Sequence, residues 1–162
     1  MRGKMKLIIA VFGKKGSGKT ALIERLIKDL TNRGYKVSAI KHAGYLEIDK
    51  EGKDTWRYMK AGANAIAGIT NNKVYLNINA ENGLEYLRWV INEFVKISDV
   101  VITEGFLEQL KDDKGVHKVV IPWGYKEKLK VSDPIIDENA SLDRYNEILG
   151  KILDLLKGLS KN

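Results

Sequence analysis

An α/β fold, with a mostly parallel sheet and helices on both faces, is predicted by three observations. First, residues 6–12 read KLIIAVF, a continuous apolar run typical of parallel strands that are covered on both faces. Second, β-prone runs alternate with amphipathic helical patterns along most of the chain. Third, the length of 162 residues is close to one domain of roughly 150 residues. We therefore expect residues 1–162 to form a single domain.

The other elements follow from hydrophobic periodicity and from turn residues. Ser141 is expected to cap the last helix. Gly34 is expected to end the first. Helices are predicted at residues 21–30, 54–62, 83–97 and 141–156, and further strands at 35–40, 63–70, 73–79, 100–103 and 116–122.

The strands at 63–70 and 73–79 surround a two-residue turn and predict an added β-hairpin, although the usual turn glycine is missing. A hairpin inserted between parallel units tends to lie at a sheet edge, where unpaired backbone groups invite another chain. Val74, Leu76 and Ile78 alternate with polar or aromatic residues, so one face is apolar. We expect this hairpin to help build a homodimer, unless a helix of the same chain covers it.

The composition of the chain narrows the range of possible functions. Lysine and arginine total 28 against 21 acidic residues, and the net charge of +7 favours a polyanionic partner such as phosphate. The sequence has no cysteine, which excludes disulfides, thiolate metal sites and cysteine nucleophiles. The longest apolar run is far too short to span a bilayer, and no signal-peptide cleavage site follows it. A soluble cytoplasmic protein is expected.

Residues 13–20 read GKKGSGKT and match the whole phosphate-binding loop G-x-x-x-x-G-K-[ST], directly after a strand and before a helix. Its glycines allow successive N–H groups to point at phosphate oxygens. Lys19 adds a charge for the β and γ phosphates, Thr20 offers a hydroxyl to Mg²⁺, and the helix adds its positive end. A P-loop NTPase-type three-layer sandwich is therefore predicted, with these nucleotide-binding candidates: Gly13, Lys14, Lys15, Gly16, Ser17, Gly18, Lys19, Thr20 and Ala21.

A second acidic element should follow a strand adjacent to the first and hold Mg²⁺. Asp99 and Glu104 flank residues 100–103, and only Glu104 stands at the carboxyl end, where open α/β sheets bind ligands. We predict Glu104 as a catalytic and metal-binding residue together with Lys19 and Thr20. Asp99 is interpreted as a solvated charge at the opposite end.

The polar stretch 41–55 begins at the carboxyl end of the second strand. Lys41 and His42 could meet an anionic substrate, and Asp49 or Asp54 could reach Mg²⁺ or orient a water molecule. Asp54 also suits a helix N-cap, and Asp49 is the catalytic candidate in this stretch. Two histidines far apart in the sequence give no metal-ligand spacing, so no zinc site is expected.

Three blocks of this sequence resemble the MobB proteins of molybdopterin-guanine dinucleotide biosynthesis. They are GKKGSGKT at 13–20, KHAGYLEIDKEGKDTWRYMKAGA at 41–63 and VVITEGF at 100–106, and the middle block is the discriminating one. Many members of that family carry further histidines after the KH pair, where this chain has Gly44 and Tyr45. Only His42 remains, so no role that needs a histidine cluster carries over.

The resemblance implies GTP and Mg²⁺ as ligands, slow or partner-dependent GTP hydrolysis, and a homodimer that assists a MobA-type guanylyltransferase in attaching GMP to molybdopterin. The guanine preference rests on the resemblance alone, because Asn72-Lys73-Val74-Tyr75 lacks the aspartate of a guanine-reading motif.

Two other functions fit parts of the sequence. A small-molecule or nucleoside kinase would share the loop, but kinases clamp phosphates with lid arginines and residues 107–134 contain none. A nucleic-acid-binding module would use the basic segment that includes Trp123 and Tyr125. Acidic residues are mixed into this segment, however, and such a mixture is typical of an ordinary solvated face. The lysines of that segment are Lys111, Lys114, Lys118, Lys126, Lys128 and Lys130.

Overall fold

The computed structural model describes residues 6–44, 50–122 and 130–160. The chain divides into two compact units, a larger one of residues 1–42 and 88–162 and a smaller one of residues 43–87. That these two units belong to a single domain stays a prediction. Among the described residues, no helix combines the length and apolar character that a membrane span requires.

Strands and helices alternate along much of the chain. In order they are β1 (Leu7–Phe12), α1 (Lys19–Asn32), β2 (Val37–Lys41), α2 (Asp54–Lys60), β3 (Ala65–Ile69), β4 (Val74–Ile78), a 3₁₀ turn (Gly83–Tyr86), α3 (Leu87–Ile97), β5 (Val100–Glu104), α4 (Leu107–Leu110), β6 (His117–Val120), β7 (Ile135–Asp137) and α5 (Tyr145–Ser160).

The larger unit is built on a five-stranded parallel sheet in the order β2-β5-β1-β6-β7. β1 lies at its centre and is almost entirely buried, as its continuous apolar sequence predicts. Glu104 pairs with Val11 on one side and with Lys41 on the other. The carboxyl ends of β1, β2 and β5 therefore meet at one edge of the sheet, and the predicted α/β fold is confirmed.

The central strands β1 and β5 of this sheet are buried on both faces. On one face, alternate residues of β1 join the apolar sides of α1 and α5 in a single core cluster, which includes Leu7, Ile9, Val11, Leu22, Leu26, Ile148 and Ile152. The intervening residues Ala10 and Phe12 are also buried, and so is Val101 of β5. Burial on both faces fixes the strands in place, so that β1 presents the loop after it at a defined position.

A tyrosine joins α5 to α1. Tyr145 is 1% exposed, and its hydroxyl donates to Asp29 Oδ2 at 2.7 Å and lies 3.1 Å from the Arg25 carbonyl oxygen. The Arg25 guanidinium lies over the ring, 3.9 Å from its centroid. Burial and the bond to Asp29 raise the pKa of the Tyr145 hydroxyl, so this clamp keeps its proton through the neutral range.

The smaller unit contains α2 and an antiparallel hairpin of β3 and β4. The turn at Asn71-Asn72 is closed by Thr70, whose N–H donates to the Lys73 carbonyl at 2.8 Å and whose Oγ1 accepts from the Lys73 N–H at 3.0 Å. This side-chain bond supports the turn without glycine. The hairpin is a sheet of its own, so the expectation that it lies at an edge of the parallel sheet is wrong.

Apart from shifts of one or a few residues at the ends of elements, the structure differs from the sequence prediction in four elements, one of which is the unpredicted short helix α4. β7 is absent from that prediction, because three residues beyond Pro134 are too few to show a period. The last helix begins at Tyr145, four residues after Ser141, whose Oγ accepts from the Arg144 N–H at 3.4 Å in the preceding turn. The helix predicted at 83–97 is a 3₁₀ turn followed by α3, with Asn82 capping the turn.

Candidate functional site

The loop between β1 and α1 carries the phosphate-binding motif. Gly16 and Gly18 have φ values of 78° and 91°, in the left-handed region that favours glycine. A Cβ at Gly13 would lie 2.6 Å from Ser17 Oγ and 3.1 Å from Ile121 Cβ, so a larger residue there would force these side chains to move. These glycines let the backbone fold tightly around the start of the helix.

The first turn of α1 is open to an anion. Gly18 stands at the N-cap, where it offers no side-chain cap, and the turn holds no acidic residue. The first N–H groups of a helix lack intrahelical partners, and the helix dipole is positive at this end. Together they make a site for negatively charged oxygens.

Two side chains of the loop hold donors that suit a polyphosphate. Ser17 Oγ is buried and has no hydrogen-bond partner among the described residues. The Lys19 amine donates to the carbonyls of Gly13 at 2.8 Å and of Lys14 at 2.7 Å, so its charge is held against the loop. An unpartnered buried hydroxyl is costly, and a phosphate oxygen would satisfy it. The residues present therefore fit a bound polyphosphate.

Glu104 lies beside Thr20, as the sequence predicts for a magnesium pair. The Thr20 hydroxyl oxygen is 3.2 Å from each of the two Glu104 carboxylate oxygens, and the Glu104 side chain is only 14% exposed. Hydroxyl and carboxylate oxygens are the ligands that Mg²⁺ prefers, usually one or two from protein beside phosphates and water. Among the described residues, no cluster of three or more acidic, histidine or cysteine side chains is found.

Lys41 completes this group: the sequence places it at the same edge of the sheet, but does not predict its ion pair with Glu104. Its amine lies 2.9 Å from Glu104 Oε1, because β2 is the neighbour of β5 and the two residues pair in register. The sequence suggests Lys41 only as a contact for an anionic substrate. The ion pair could be predicted from the strand order β2-β5-β1, but local sequence patterns do not determine that order.

The chain after Glu104 turns through two left-handed residues. Gly105 has a φ of 89° and Phe106 a φ of 61°. His42 packs against this turn, since its ring stacks on Phe106 with centroids 5.1 Å apart and its backbone N–H donates to the Glu104 backbone carbonyl at 3.0 Å. A Cβ at Gly105 would approach the His42 Cβ to 3.1 Å. His42 thus packs beside the site and holds the turn that follows Glu104.

Asp99 lies at the other end of β5, as predicted, but it is more than a solvated charge. Its Oδ2 accepts from the Lys36 N–H at 2.9 Å, and its Oδ1 is 3.5 Å from the Lys6 amine. These contacts tie β5 to its neighbours at the amino-terminal edge of the sheet. Asp99 is therefore a structural carboxylate far from the loop.

The remaining acidic candidates belong to the smaller unit. Asp49 lies outside the described residues. Asp54 is the first residue of α2 and Lys53 holds the N-cap position, so the capping role suggested for Asp54 is wrong. Its carboxylate is 3.8 Å from Arg57, and both side chains are strongly exposed.

The lysine-rich segment on which the nucleic-acid hypothesis rests is only partly exposed in the part that the structure describes. Lys118 is fully buried, and its amine donates to the backbone carbonyls of Asp113 and Asp133. Burial lowers the pKa of Lys118. Lys111 pairs with Glu108 at 2.7 Å. Trp123, Tyr125, Lys126 and Lys128 lie outside the described residues.

The parallel sheet, the glycine loop and the helix that it opens define a nucleotide-binding fold of the P-loop NTPase type. Residues 8–134 match the model of the MobB family, described as molybdopterin guanine dinucleotide synthesis protein B. The chain belongs to this family.

Curated relatives and solved structures agree with that assignment. The chain is 34% identical over 104 residues to a molybdopterin-guanine dinucleotide biosynthesis adapter protein of Haemophilus influenzae, covering 63% of this chain and 58% of the relative. It is 32% identical over 152 residues to a putative adapter protein of Methanocaldococcus jannaschii, covering 92% and 60%. The chain thus spans about three fifths of the length of these relatives.

Among solved structures, a crystal structure of molybdopterin-guanine biosynthesis protein B superposes with a TM-score of 0.62 at 26% identity, covering 93% of this chain and 99% of the other. A MobB homolog from Bacillus stearothermophilus gives a TM-score of 0.56 at 17% identity, covering 93% and 98%, and supports the fold alone.

Proposed function

We propose that this protein is a cytoplasmic GTP-binding adapter in molybdopterin-guanine dinucleotide biosynthesis. The observation that carries the proposal is the loop at 13–20, where an unpartnered buried hydroxyl, the Lys19 amine and the open end of α1 converge beside Thr20 and Glu104. The adapter role is supported by family membership and by the relatives' names. The same comparisons support this role and not the kinase alternative.

In this proposal the chain's own residues bind and orient the triphosphate. The loop N–H groups and Ser17 Oγ donate to phosphate oxygens, and Lys19 exchanges its carbonyl partners for the β and γ phosphates. Thr20 and Glu104 would hold Mg²⁺, which neutralises charge on the phosphates when it is bound. Asp49 is proposed to assist hydrolysis, as the sequence suggests.

Hydrolysis is proposed to be slow. This part of the proposal rests on the family resemblance, which implies slow or partner-dependent hydrolysis; rapid phosphoryl transfer commonly uses an arginine, often supplied by a partner, that stabilises charge on the transferred group. A slow GTPase suits an adapter that acts through a partner. The proposed partner is a MobA-type guanylyltransferase.

Calorimetric titration with GTP and with ATP, each with and without Mg²⁺, tests the nucleotide proposal. We expect GTP to bind more tightly than ATP and Mg²⁺ to strengthen the binding of either. Equal affinities for GTP and ATP would contradict the guanine preference, and no heat with either would contradict nucleotide binding itself.

We also propose that the protein is a homodimer in which the hairpin takes part. Its apolar face carries Ile69, Val74 and Leu76, which are 76%, 75% and 48% exposed. Ile69 pairs with Val74 and Ala67 with Leu76, so these side chains share one face. An exposed apolar patch of this kind favours association with a second copy.

Leu76→Lys is expected to shift the dimer towards monomer, because it places a charge in the apolar patch. Analytical ultracentrifugation at micromolar concentration should give about twice 18.3 kDa for the wild type and about 18.3 kDa for the variant. Asn71→Lys, which adds the same charge in the hairpin turn, is the control and should stay dimeric. A wild-type protein that is monomeric at high concentration would remove this proposal.

A further inference from the structure

Lys41 and Glu104 form an ion pair at the point where the metal is proposed to bind. The amine lies 2.9 Å from Oε1, and the two side chains are 49% and 14% exposed. The same carboxylate oxygens lie 3.2 Å from Thr20 Oγ1, its partner in the proposed magnesium pair. The Glu104 carboxylate is therefore the shared partner of the Lys41 ammonium and of the cation that is proposed to bind beside Thr20.

A lysine ammonium and a divalent cation cannot share this carboxylate without repelling each other, and the repulsion is strong where little water screens it. The backbone of Glu104 is fixed by its pairing with β1 and β2, and its side chain is largely buried, so it has less room to move than the side chain of Lys41. The Lys41 side chain is half-exposed on a flexible four-carbon stem, so it is the group that can move.

We propose that Lys41 couples metal binding to polyphosphate binding. Without ligand, its ammonium neutralises Glu104 and weakens the binding of a cation. When a polyphosphate is bound, the ammonium pairs with phosphate oxygens and releases the carboxylate to the cation. Lys41 is thus a positioning residue that disfavours a cation bound without its nucleotide. This inference rests on the proposed nucleotide function.

The coupling has a reciprocal consequence that can be measured. If Lys41 makes the cation prefer the nucleotide-bound protein, it must make the nucleotide prefer the cation-bound protein by the same factor. Lys41→Met, which keeps the stem and removes the charge, should reduce both preferences. Lys41→Arg should retain them, because it keeps the charge at the same position.

The test uses Mn²⁺ as a spectroscopic probe of the cation site, with free Mn²⁺ measured by electron paramagnetic resonance. In nucleotide-free protein, Lys41→Met should bind Mn²⁺ about fivefold more tightly than the wild type, an effect of the size of one partly exposed ion pair. The gain should vanish in the double variant Lys41→Met with Glu104→Gln. Lys6→Met, which breaks the 3.5 Å pair with Asp99 at the opposite edge of the sheet, is the matched control and should leave Mn²⁺ affinity unchanged.

Equal Mn²⁺ affinities in the wild type and in Lys41→Met would overturn this inference, whether or not GTP binds. A gain that persists without the Glu104 carboxylate would overturn it as well, since the cation would then bind elsewhere. Failure of the wild type to bind GTP would instead overturn the proposed function, and the competition between Lys41 and Mn²⁺ would still be measurable.

Discussion

Replacing Lys19 with alanine should weaken GTP binding at least tenfold, or about 1.4 kcal/mol. The amine lies inside the glycine loop, bonded only to the carbonyls of Gly13 and Lys14 in the described structure. Charge-assisted bonds to phosphate are stronger than these neutral partners, so the lysine contributes more to the bound state than to the free protein. Calorimetric titration in the presence of Mg²⁺ measures the difference.

Lys28→Ala is the matched control for this variant. It removes the same charge from the exposed side of the same helix, nine positions further along α1, and should leave the affinity unchanged. Both variants should keep the thermal unfolding midpoint close to that of the wild type. If a folded Lys19→Ala protein bound GTP as tightly as the wild type, the loop would not be the triphosphate site.

Glu104→Gln should remove most of the Mg²⁺-dependent part of GTP binding, with a loss of about tenfold or more. The substitution keeps the size and the hydrogen-bonding shape of the side chain but removes the charge beside Thr20. Affinity measured in the presence of a chelator should change little, because the loop donors and Lys19 remain. Titrations with and without Mg²⁺ therefore isolate the role of the carboxylate.

Asp99→Asn provides the comparison from the other end of the same strand. Asparagine keeps an oxygen that can accept from the Lys36 N–H, so the fold should tolerate it and the Mg²⁺ dependence should be that of the wild type. If Asp99→Asn were the sensitive variant and Glu104→Gln were silent, the assignment of the metal site to the carboxyl end of β5 would be wrong.

Local pattern is enough to predict the central features of the site. The continuous apolar run KLIIAVF predicts a strand that is covered on both faces of a sheet. The motif GKKGSGKT predicts both the phosphate-binding turn and the start of the helix after it. The position of Glu104 follows because parallel strands place their carboxyl ends at one edge. The strand and the loop are each determined by residues a few positions apart, whereas Glu104 is predicted from its place at the end of a strand and from the general geometry of parallel sheets.

Features that depend on strand order or on burial are harder to predict. The Lys41–Glu104 pair joins residues 63 positions apart, and only the order β2-β5-β1 brings them together. Lys118 resembles part of a basic surface because a lysine count carries no information about burial. The hairpin is predicted as an edge of the main sheet because sequence spacing does not tell which sheet a strand joins.

The contacts of Tyr145 with α1 affect the phosphate-binding loop, because that loop leads directly into this helix. Arg25, at the middle of the helix that the loop opens, and Asp29, in its second half, are the residues that Tyr145 contacts. A helix held there and buried along Leu22, Leu26 and Leu30 has little freedom to rotate or slide. The donors of its first turn are therefore pre-organised, and a phosphate bound there would require less ordering of the chain than one bound to a mobile helix.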